Sequence, residues 1–448
     1  MPLPLSVYVT SIDFALKRKD GPGLATLLRL YGSATSPSQL LLDSLDGPDK
    51  GSKRQDRVIG PPDYIPSYAA QFGRGLKKEW AEIATHHVLA MVALNPPINP
   101  VTPQLAYVRD PVRAVQEQHQ LVNALYRFLI NSKDPNTGWC LEVLYRVCED
   151  LRRVAHEADA RLVQLQQKPG KLEEASRLLQ KCFSCCLNDR SAEWIMSRKM
   201  GTYYLATLLF KTYINLNSTA LCKNIIRGIQ AAELPALEKY PQAHQVAFGY
   251  YMGVFAFMRE DYKEAEKQFK NCLKGIHKNA LQNICLILDY LIPLLLLRGV
   301  FPSKQLYQLS PKHSLLYKPF AEAIKSGDIT KYDRHLGHVE KSLMDRGSWL
   351  IVERAREVCV RGLLKKMWIL EGRPSRISIQ TFRNYHNAAV CIGSGPANIA
   401  GLTEYDSEEM ECLLANYINK GLIKGYISHS HQLVVLSREK PFPKYAPF

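Results

Sequence analysis

From about Val112 the sequence places apolar residues at helical spacing and keeps doing so for more than 200 residues. Between Asp134 and Asp345 this periodicity predicts roughly ten amphipathic helices joined by short connections. A run of that length must bury its apolar faces by stacking one helix pair on the next.

One pair carries a repeat signature. Gly253, Ala265 and Phe269 stand at the spacings of the small and aromatic positions in tetratricopeptide-type repeats, and Asp261-Tyr262 makes the turn between the two helices. Small residues are needed where paired helices approach closely, and the aromatic ring fills the gap to the next pair. The segments Ala175 to Cys186, Tyr203 to Tyr213 and Leu286 to Leu297 read as degenerate versions. The expected architecture is an α-solenoid, a scaffold whose surfaces bind other chains.

Composition narrows the function classes. With 448 residues, 46% hydrophobic and 22% charged, the chain is an ordinary folded soluble type, which excludes wholesale disorder and collagen-like fibres. At ~100–200 residues per domain the length allows two to four domains. A net charge of +16 favours phosphate backbones, anionic membranes or an acidic protein partner. A membrane span is not expected, because the longest apolar run, Ile284 to Leu297, is 14 residues interrupted by Asp289 and Pro293. A spanning helix needs about 20. The apolar stretch Leu3 to Val9 is too short for a signal peptide, contains Pro4 and lacks a charged n-region. The 11 cysteines are therefore expected as reduced thiols in cytosol or nucleus. Most of them (Cys148, Cys182, Cys186, Cys222, Cys272, Cys285, Cys359 and Cys412) sit among aliphatic neighbours, where a thiol acts as a small hydrophobe.

Three regions follow. Residues 1–130 form an N-terminal helical region with a flexible, Gly/Pro/Ser-rich loop near 33–66. Residues 131–345 form the helical-repeat domain, and 346–448 change character. Trp349 to Glu371 reads as one helix with Val352, Ala355, Cys359, Leu363 and Met367 along one face. Arg376 to Ile379 reads as a short strand and Gln380 to Cys391 as a second helix. Asp406 and Glu409 then form a capping box. The helix they open carries Met410, Leu413, Leu414, Tyr417 and Ile418 as an apolar stripe, and Gly421 closes it. Ile423 to Ile427 and Leu433 to Leu436 make a β-hairpin around Ser428 to Gln432. Helix, strand, helix, helix, hairpin is the order of a winged helix-turn-helix.

Glu411 to Asn416, Gly421 to His429, Val434 to Ser437 and Pro441-Phe442-Pro443 together resemble the C-terminal signature of the PCI family. More narrowly, they resemble the PCI subunit of the nuclear complex that couples transcription to mRNA export, and its splicing-linked, signalosome-named paralogue. The close match covers about 35 residues, and a looser one reaches back through Leu286 to Pro293; residues 1–110 stand outside it. Ile392 to Tyr405 lengthen a connection that the family keeps tight.

The resemblance implies a mainly α fold, a helical-repeat solenoid capped by a C-terminal winged helix, and a non-enzymatic subunit located in the nucleus, at the pore, with some in the cytoplasm. It further implies pairing through the winged helix with a second PCI protein, a small acidic proteasome-lid-type protein along the helical repeats, and RNA or DNA bound on a basic surface. The alternative is a structural subunit of a signalosome- or proteasome-lid-like assembly with no nucleic-acid role.

The residues refine this. A helix-turn-helix presents the start of its recognition helix to base edges. Here that stretch carries Glu404, Asp406, Glu408, Glu409 and Glu411, which repel phosphates and instead suit a helix N-terminus. Backbone binding fits better. Residues 346–383 hold nine basic and three acidic side chains, and 412–448 hold five and one. The expected nucleic-acid contacts are Arg361, Lys365, Lys366, Arg373, Arg376, Lys420, Lys424, Arg438 and Lys440. The expected partner contacts are Tyr426, His429, His431, Val434, Val435, Leu436 and Phe442, read as unpaired apolar residues on an edge strand with flanking histidines. Cys182-x-x-Cys185-Cys186 lacks a second ligand pair, His335-x-x-His338 and His429-x-His431 each lack a third ligand, and Gly393-Ser394-Gly395 lacks the lysine of a phosphate loop. No metal, cofactor or catalytic residue is expected.

Overall fold

The computed structural model describes residues 3–32, 35–45, 72–95, 109–132, 136–191, 193–393 and 404–443. It divides into two compact units, residues 1–251 and 252–448.

Among the described residues the regular structure of the first unit is helical: α1 (Leu5–Lys17), α2 (Gly21–Leu27), α3 (Pro37–Leu45), α4 (Lys78–Leu94), α5 (Pro111–Asn131), α6 (Leu141–Gln164), α7 (Lys171–Leu187), α8 (Thr202–Asn215) and α9 (Thr219–Ala231). The expected loop near 33–66 is a helix over its α3 portion. The apolar run Leu40-Leu41-Leu42 behind Pro37 supplies the reason, since Leu41 and Leu42 are buried; residues 46–66 lie outside the described residues. In α7 the buried set Ala175, Leu178, Leu179, Cys182, Phe183 and Cys186 follows the 3.6-residue period. Its N-terminus is capped from α6, where the Asp159 carboxylate accepts from the amides of Gly170, Lys171 and Leu172 at 2.7–2.9 Å. A second polar clasp joins Asp189 to Arg198 at 2.7 Å and to the Ser197 hydroxyl at 2.6 Å. Arg198 also donates to the Leu129 carbonyl at 2.7 Å. The α1 residue Tyr8 reaches His87 of α4, hydroxyl to Nδ1 at 2.8 Å, in a fully buried contact.

Helix α10 (Gln242–Met258) runs from the first unit into the second, which continues with α11 (Tyr262–Gly275), α12 (Leu281–Leu297), α13 (Lys304–Leu309), α14 (Pro311–Ser326), α15 (Ile329–Asp345) and α16 (Trp349–Leu370). The repeat signature holds in space. A Cβ on Gly253 would lie 2.8 Å from the Phe269 ring, so only glycine admits this approach. Phe269 stacks in turn on Tyr290, with centroids 5.5 Å apart and planes 8° apart. Asp261 caps α11 through the Glu264 amide at 3.2 Å. On α16 the buried face is Val352, Ala355, Cys359, Leu364 and Met367 with Ile351, Val358 and Val360; Leu364 takes the place expected for Leu363. Burial pushes the Cys359 thiol up to about 12, which keeps it protonated, and it donates to the Ala323 carbonyl at 3.3 Å.

After α16 come β1 (Arg376–Ser378), α17 (Ile379–Gly393), α18 (Ser407–Asn419), β2 (Gly425–Ser428) and β3 (Leu433–Leu436). This is the order expected of a winged helix, and the chain is a mainly α helical-repeat protein with that domain at its C-terminus. The capping box is present in full: Asp406 accepts from the Glu409 amide at 2.8 Å, and Glu409 accepts from the Asp406 amide at 3.0 Å. Gly421 follows the helix at φ +71°, the left-handed conformation of a C′ glycine. The three strands are antiparallel in the order β1-β3-β2. That order corrects one expectation: the apolar strand Val434 to Leu436 is the central strand, not an edge. Val434, Leu436 and Phe442 are buried, the Phe442 ring lying 5.6 Å from that of Trp368 on α16. The thiol expectation needs a similar correction at Cys412, which is exposed on α18, while Cys148, Cys182, Cys186, Cys222, Cys272 and Cys359 are buried. The greater part of the 392–405 connection, and residues 444–448, lie outside the described residues.

Candidate nucleic-acid and partner interface on the winged helix

The sheet register sorts the charged side chains. Antiparallel pairing sets the start of β1 beside the end of β3, and the end of β3 beside the start of β2. The Leu436 amide donates to the Ser375 carbonyl at 2.8 Å, and the Lys424 amide to the Pro441 carbonyl at 2.7 Å. Arg373 and Arg376 before and at the start of β1, Lys424 before β2, and Arg438 and Lys440 after β3 therefore share one end of the sheet. All five are exposed, and none forms an ion pair among the described residues. Five cations with no carboxylate partner give this end a field that attracts polyanions.

The remaining expected cations are placed differently. Lys365 is exposed near the C-terminal end of α16. Lys366 donates to the Ser326 carbonyl at 2.7 Å, and Lys420 pairs with Glu357 at 2.5 Å. Arg361 is committed inside the domain: its guanidinium donates to the Leu422 carbonyl at 2.9 Å and to the Pro443 carbonyl, with the Phe442 ring alongside. Two other arginines of the same helix are also neutralised, Arg354 by Glu260 at 2.8 Å and Arg356 by Asp333 at 2.7 Å. Burial alone would lower the Arg356 value, but the bonds to Asp333 outweigh it and hold the group above its ordinary range.

At the opposite end of the sheet the hairpin tip meets a carboxylate of α18. There the hairpin tip carries His429, His431 and Gln432. Glu411 of α18 accepts from His429 Nδ1 at 2.9 Å and from Gln432 Nε2 at 3.4 Å. His429 is 81% exposed beside that bond. Between the two ends, β2 is an outer strand with an unpaired backbone edge among the described residues, and its Tyr426 is 63% exposed. Of the expected partner contacts, Tyr426, His429 and His431 stand on the surface and Val435 is partly covered.

Sequence spacing could not reveal the pairing of His429 with Glu411, since 18 residues and a helix-to-hairpin reversal separate them. The commitment of Arg361 was hidden for the same reason, its two acceptors lying 61 and 82 residues away. Elsewhere, Cys185 Sγ lies 3.4 Å from the Arg198 guanidinium, and no group of three or more His, Cys, Asp and Glu arranged for a metal ion occurs among the described residues. No helix among them is long and apolar enough to cross a membrane.

Comparison with known proteins agrees with this geometry. A family profile described as "PCI domain" matches residues 339–438, the span from α15 to the end of the wing. The "Protein CSN12 homolog" of Schizosaccharomyces pombe is 31% identical over 455 residues, covering 99% of this chain and 98% of that protein. The "Protein CSN12 homolog" of Mycosarcoma maydis is 38% identical across 68% of this chain and 70% of its own length. The "PCI domain-containing protein 2 homolog" of Drosophila melanogaster is 30% identical over 97% of both chains.

Proposed function

Starting from the fact that the chain belongs to this family of PCI-domain proteins, we infer that it is a non-enzymatic scaffold subunit of a nuclear complex coupling transcription or splicing to mRNA export. In this reading the winged helix pairs with a second PCI protein along the open β2 edge, using Tyr426, His429 and His431. A small acidic protein of the proteasome-lid type lies along the helical repeats. RNA or DNA binds by its phosphates, without sequence preference, at the basic end of the sheet.

The observation that carries the nucleic-acid part is the gathering of Arg373, Arg376, Lys424, Arg438 and Lys440 at one sheet end with no carboxylate partner. Cations so arranged bind phosphates by counterion release. The acidic start of α18 lies toward the other end and argues against base readout by that helix.

The test is titration of fluorescent RNA and DNA of several sequences against the chain and against a Lys424→Glu/Arg438→Glu/Lys440→Glu variant. The variant should weaken every sequence alike, whereas Glu408→Gln/Glu409→Gln should not. Undiminished binding by the triple variant would move nucleic acid off the wing.

The second reading is a structural subunit of a signalosome- or lid-like assembly without a nucleic-acid role. It draws support from α16, where Arg354, Arg356 and Arg361 are already satisfied within the chain. A partner protein covering the basic end would favour it. Isolating the complex and asking whether Lys424 and Lys440 are protected from acetylation by protein or by RNA separates the two.

A further inference from the structure

The basic end of the sheet holds a hydroxyl that nucleic-acid binding leaves unused. Four serines in the sequence are followed directly by arginine: Ser176, Ser197, Ser375 and Ser437. Ser176 and Ser197 are buried, and the Ser197 hydroxyl donates to Asp189 at 2.6 Å. Ser437 is half-buried; its amide donates to the Lys424 carbonyl at 2.9 Å and its hydroxyl to the Glu439 carbonyl at 3.0 Å. Ser375 differs from all three. It is exposed, and its hydroxyl has no partner among the described residues. It alone of the four also has an arginine two residues before it, Arg373.

The backbone fixes where this hydroxyl stands. Gly372 at φ +81° and Arg373 at φ +61° turn the chain out of α16 through the left-handed region. The Trp368 indole then donates to the Pro374 carbonyl at 3.0 Å, and the Ser375 carbonyl accepts from the Leu436 amide at 2.8 Å. Ser375 is therefore held on the rim where β1 begins, with Arg438 two residues beyond its partner Leu436. Consecutive Cα atoms are about 3.8 Å apart, so the backbones of Arg373 and Arg376 lie within about 7.6 Å of Ser375. The Debye length at physiological salt is about 8 Å, so a charge placed on Ser375 acts on both.

We propose that Ser375 is a phosphorylation site for a kinase that selects basic flanks, and that the phosphate switches off polyanion binding at this end of the sheet. The step transfers the γ-phosphoryl group of ATP: Oγ bonds to the phosphorus, the bond to the β-phosphate oxygen breaks, ADP leaves, and the hydroxyl proton goes to the kinase's carboxylate base. The product carries about −1.5 to −2 charges at pH 7 and three strong acceptor oxygens. It gives Arg373 and Arg376 a charge-assisted partner within the chain, which competes with nucleic-acid phosphates for the same guanidinium groups. The five cations share this end with Glu439, and the phosphate about halves their excess. The proposal deepens, and rests on, the reading of this end as a site for nucleic-acid phosphates.

Two measurements on the full chain test it. In the first, the folded chain and Ser375→Ala are incubated with ATP and a serine kinase that phosphorylates a synthetic peptide of residues 370–380, and the products are mapped by mass spectrometry. Ser375 should carry phosphate in the parent. A folded parent labelled only elsewhere, or not at all, overturns the site. In the second, phosphoserine is installed at Ser375 by codon suppression, and fluorescent RNA and duplex DNA are titrated by anisotropy over a range of salt. The phosphorylated chain should bind about tenfold or more weakly at physiological salt, and its slope of log affinity against log salt should be flatter by about 2 for duplex DNA. Ser375→Ala keeps every cation and should bind as the parent does. If the phosphorylated chain binds as tightly as the parent while Lys424→Glu/Arg438→Glu/Lys440→Glu binds weakly, the switch is wrong and the nucleic-acid site stands. A parent that binds neither RNA nor DNA overturns both. The phosphorylated chain should unfold in urea at the same midpoint as the parent; a lowered midpoint assigns any lost affinity to a disrupted wing and overturns the electrostatic switch.

Discussion

Asp150→Asn should stabilise the first unit at neutral pH and give that stability back in acid. Asp150 of α6 is fully buried, accepts from the Leu30 amide at 3.0 Å, and leaves its Oδ1 unpartnered. Burial raises its value from 3.8 to about 6, against the lowering pull of the Leu30 amide, Arg146 and Arg153 and with a small push from Glu149. A carboxyl whose folded value is raised contributes its stability below the unfolded value and loses it as pH climbs from 3.8 through 6. At 1.36 kcal/mol per pH unit that loss is about 3 kcal/mol at pH 7. His87 works in the opposite sense. Burial lowers it from 6.5 to about 4, so its contribution is intact above 6.5 and disappears as pH falls through 4, again about 3 kcal/mol. In the parent chain the two slopes oppose each other between pH 4 and 6. The asparagine variant keeps the Leu30 bond and removes one slope. Urea unfolding with hydrogen exchange on α4 and α6 peptides should show it more stable than the parent by about 2–3 kcal/mol at pH 7, converging on the parent near pH 4. A difference between variant and parent that stays constant across that window would refute the argument, since Asp150 would then carry no shifted proton.

Other outcomes follow from contacts already described. Gly253→Ala gains about 1 kcal/mol of helix propensity but forces a methyl against a Phe269 ring pinned by Tyr290; thermal unfolding should show a net loss of about 1 kcal/mol, largely recovered with Phe269→Leu. Asp406→Ala breaks the capping box and should cost about 1 kcal/mol, read by exchange of the α18 amides. Replacing Lys424, Arg438 and Lys440 by Gln should flatten the slope of log affinity against log salt by about 2 to 3 for duplex DNA, and an unchanged slope would exclude all three from phosphate contact.

The parts of the fold that were legible from sequence are those fixed by short-range rules. The Asp406–Glu409 box, the Gly421 terminus and the 3.6-residue stripes each depend on residues within a turn or two, so spacing alone carries them. Gly253 and Phe269 were legible for a different reason: a close helix approach tolerates only a small residue opposite a large one. Strand order was not legible, because an apolar run such as Val434 to Leu436 reads alike at an edge and at the centre of a sheet. Charge was the least legible feature. The arginines of α16 look equivalent in the sequence, yet three are spent on partners reached only through tertiary structure. The loop assigned near 33–66 hid α3 because turn-forming residues surround its leucines.

The pair of hydrogen bonds donated by Arg361 has a consequence for how the chain tolerates shortening. It ties α16 to Leu422 and to Pro443, and β3 between those points supplies both neighbours of the sheet. A premature stop between residues 423 and 432 would strip β1 of its pairing strand, uncover Ile377 and remove the Pro443 acceptor of the half-buried Arg361 guanidinium. Such a product would be cleared as a misfolded chain before any question of lost partners arose. Loss-of-function alleles truncated there report on protein abundance, and only point changes at surface positions such as Tyr426 or Lys424 can separate assembly from folding.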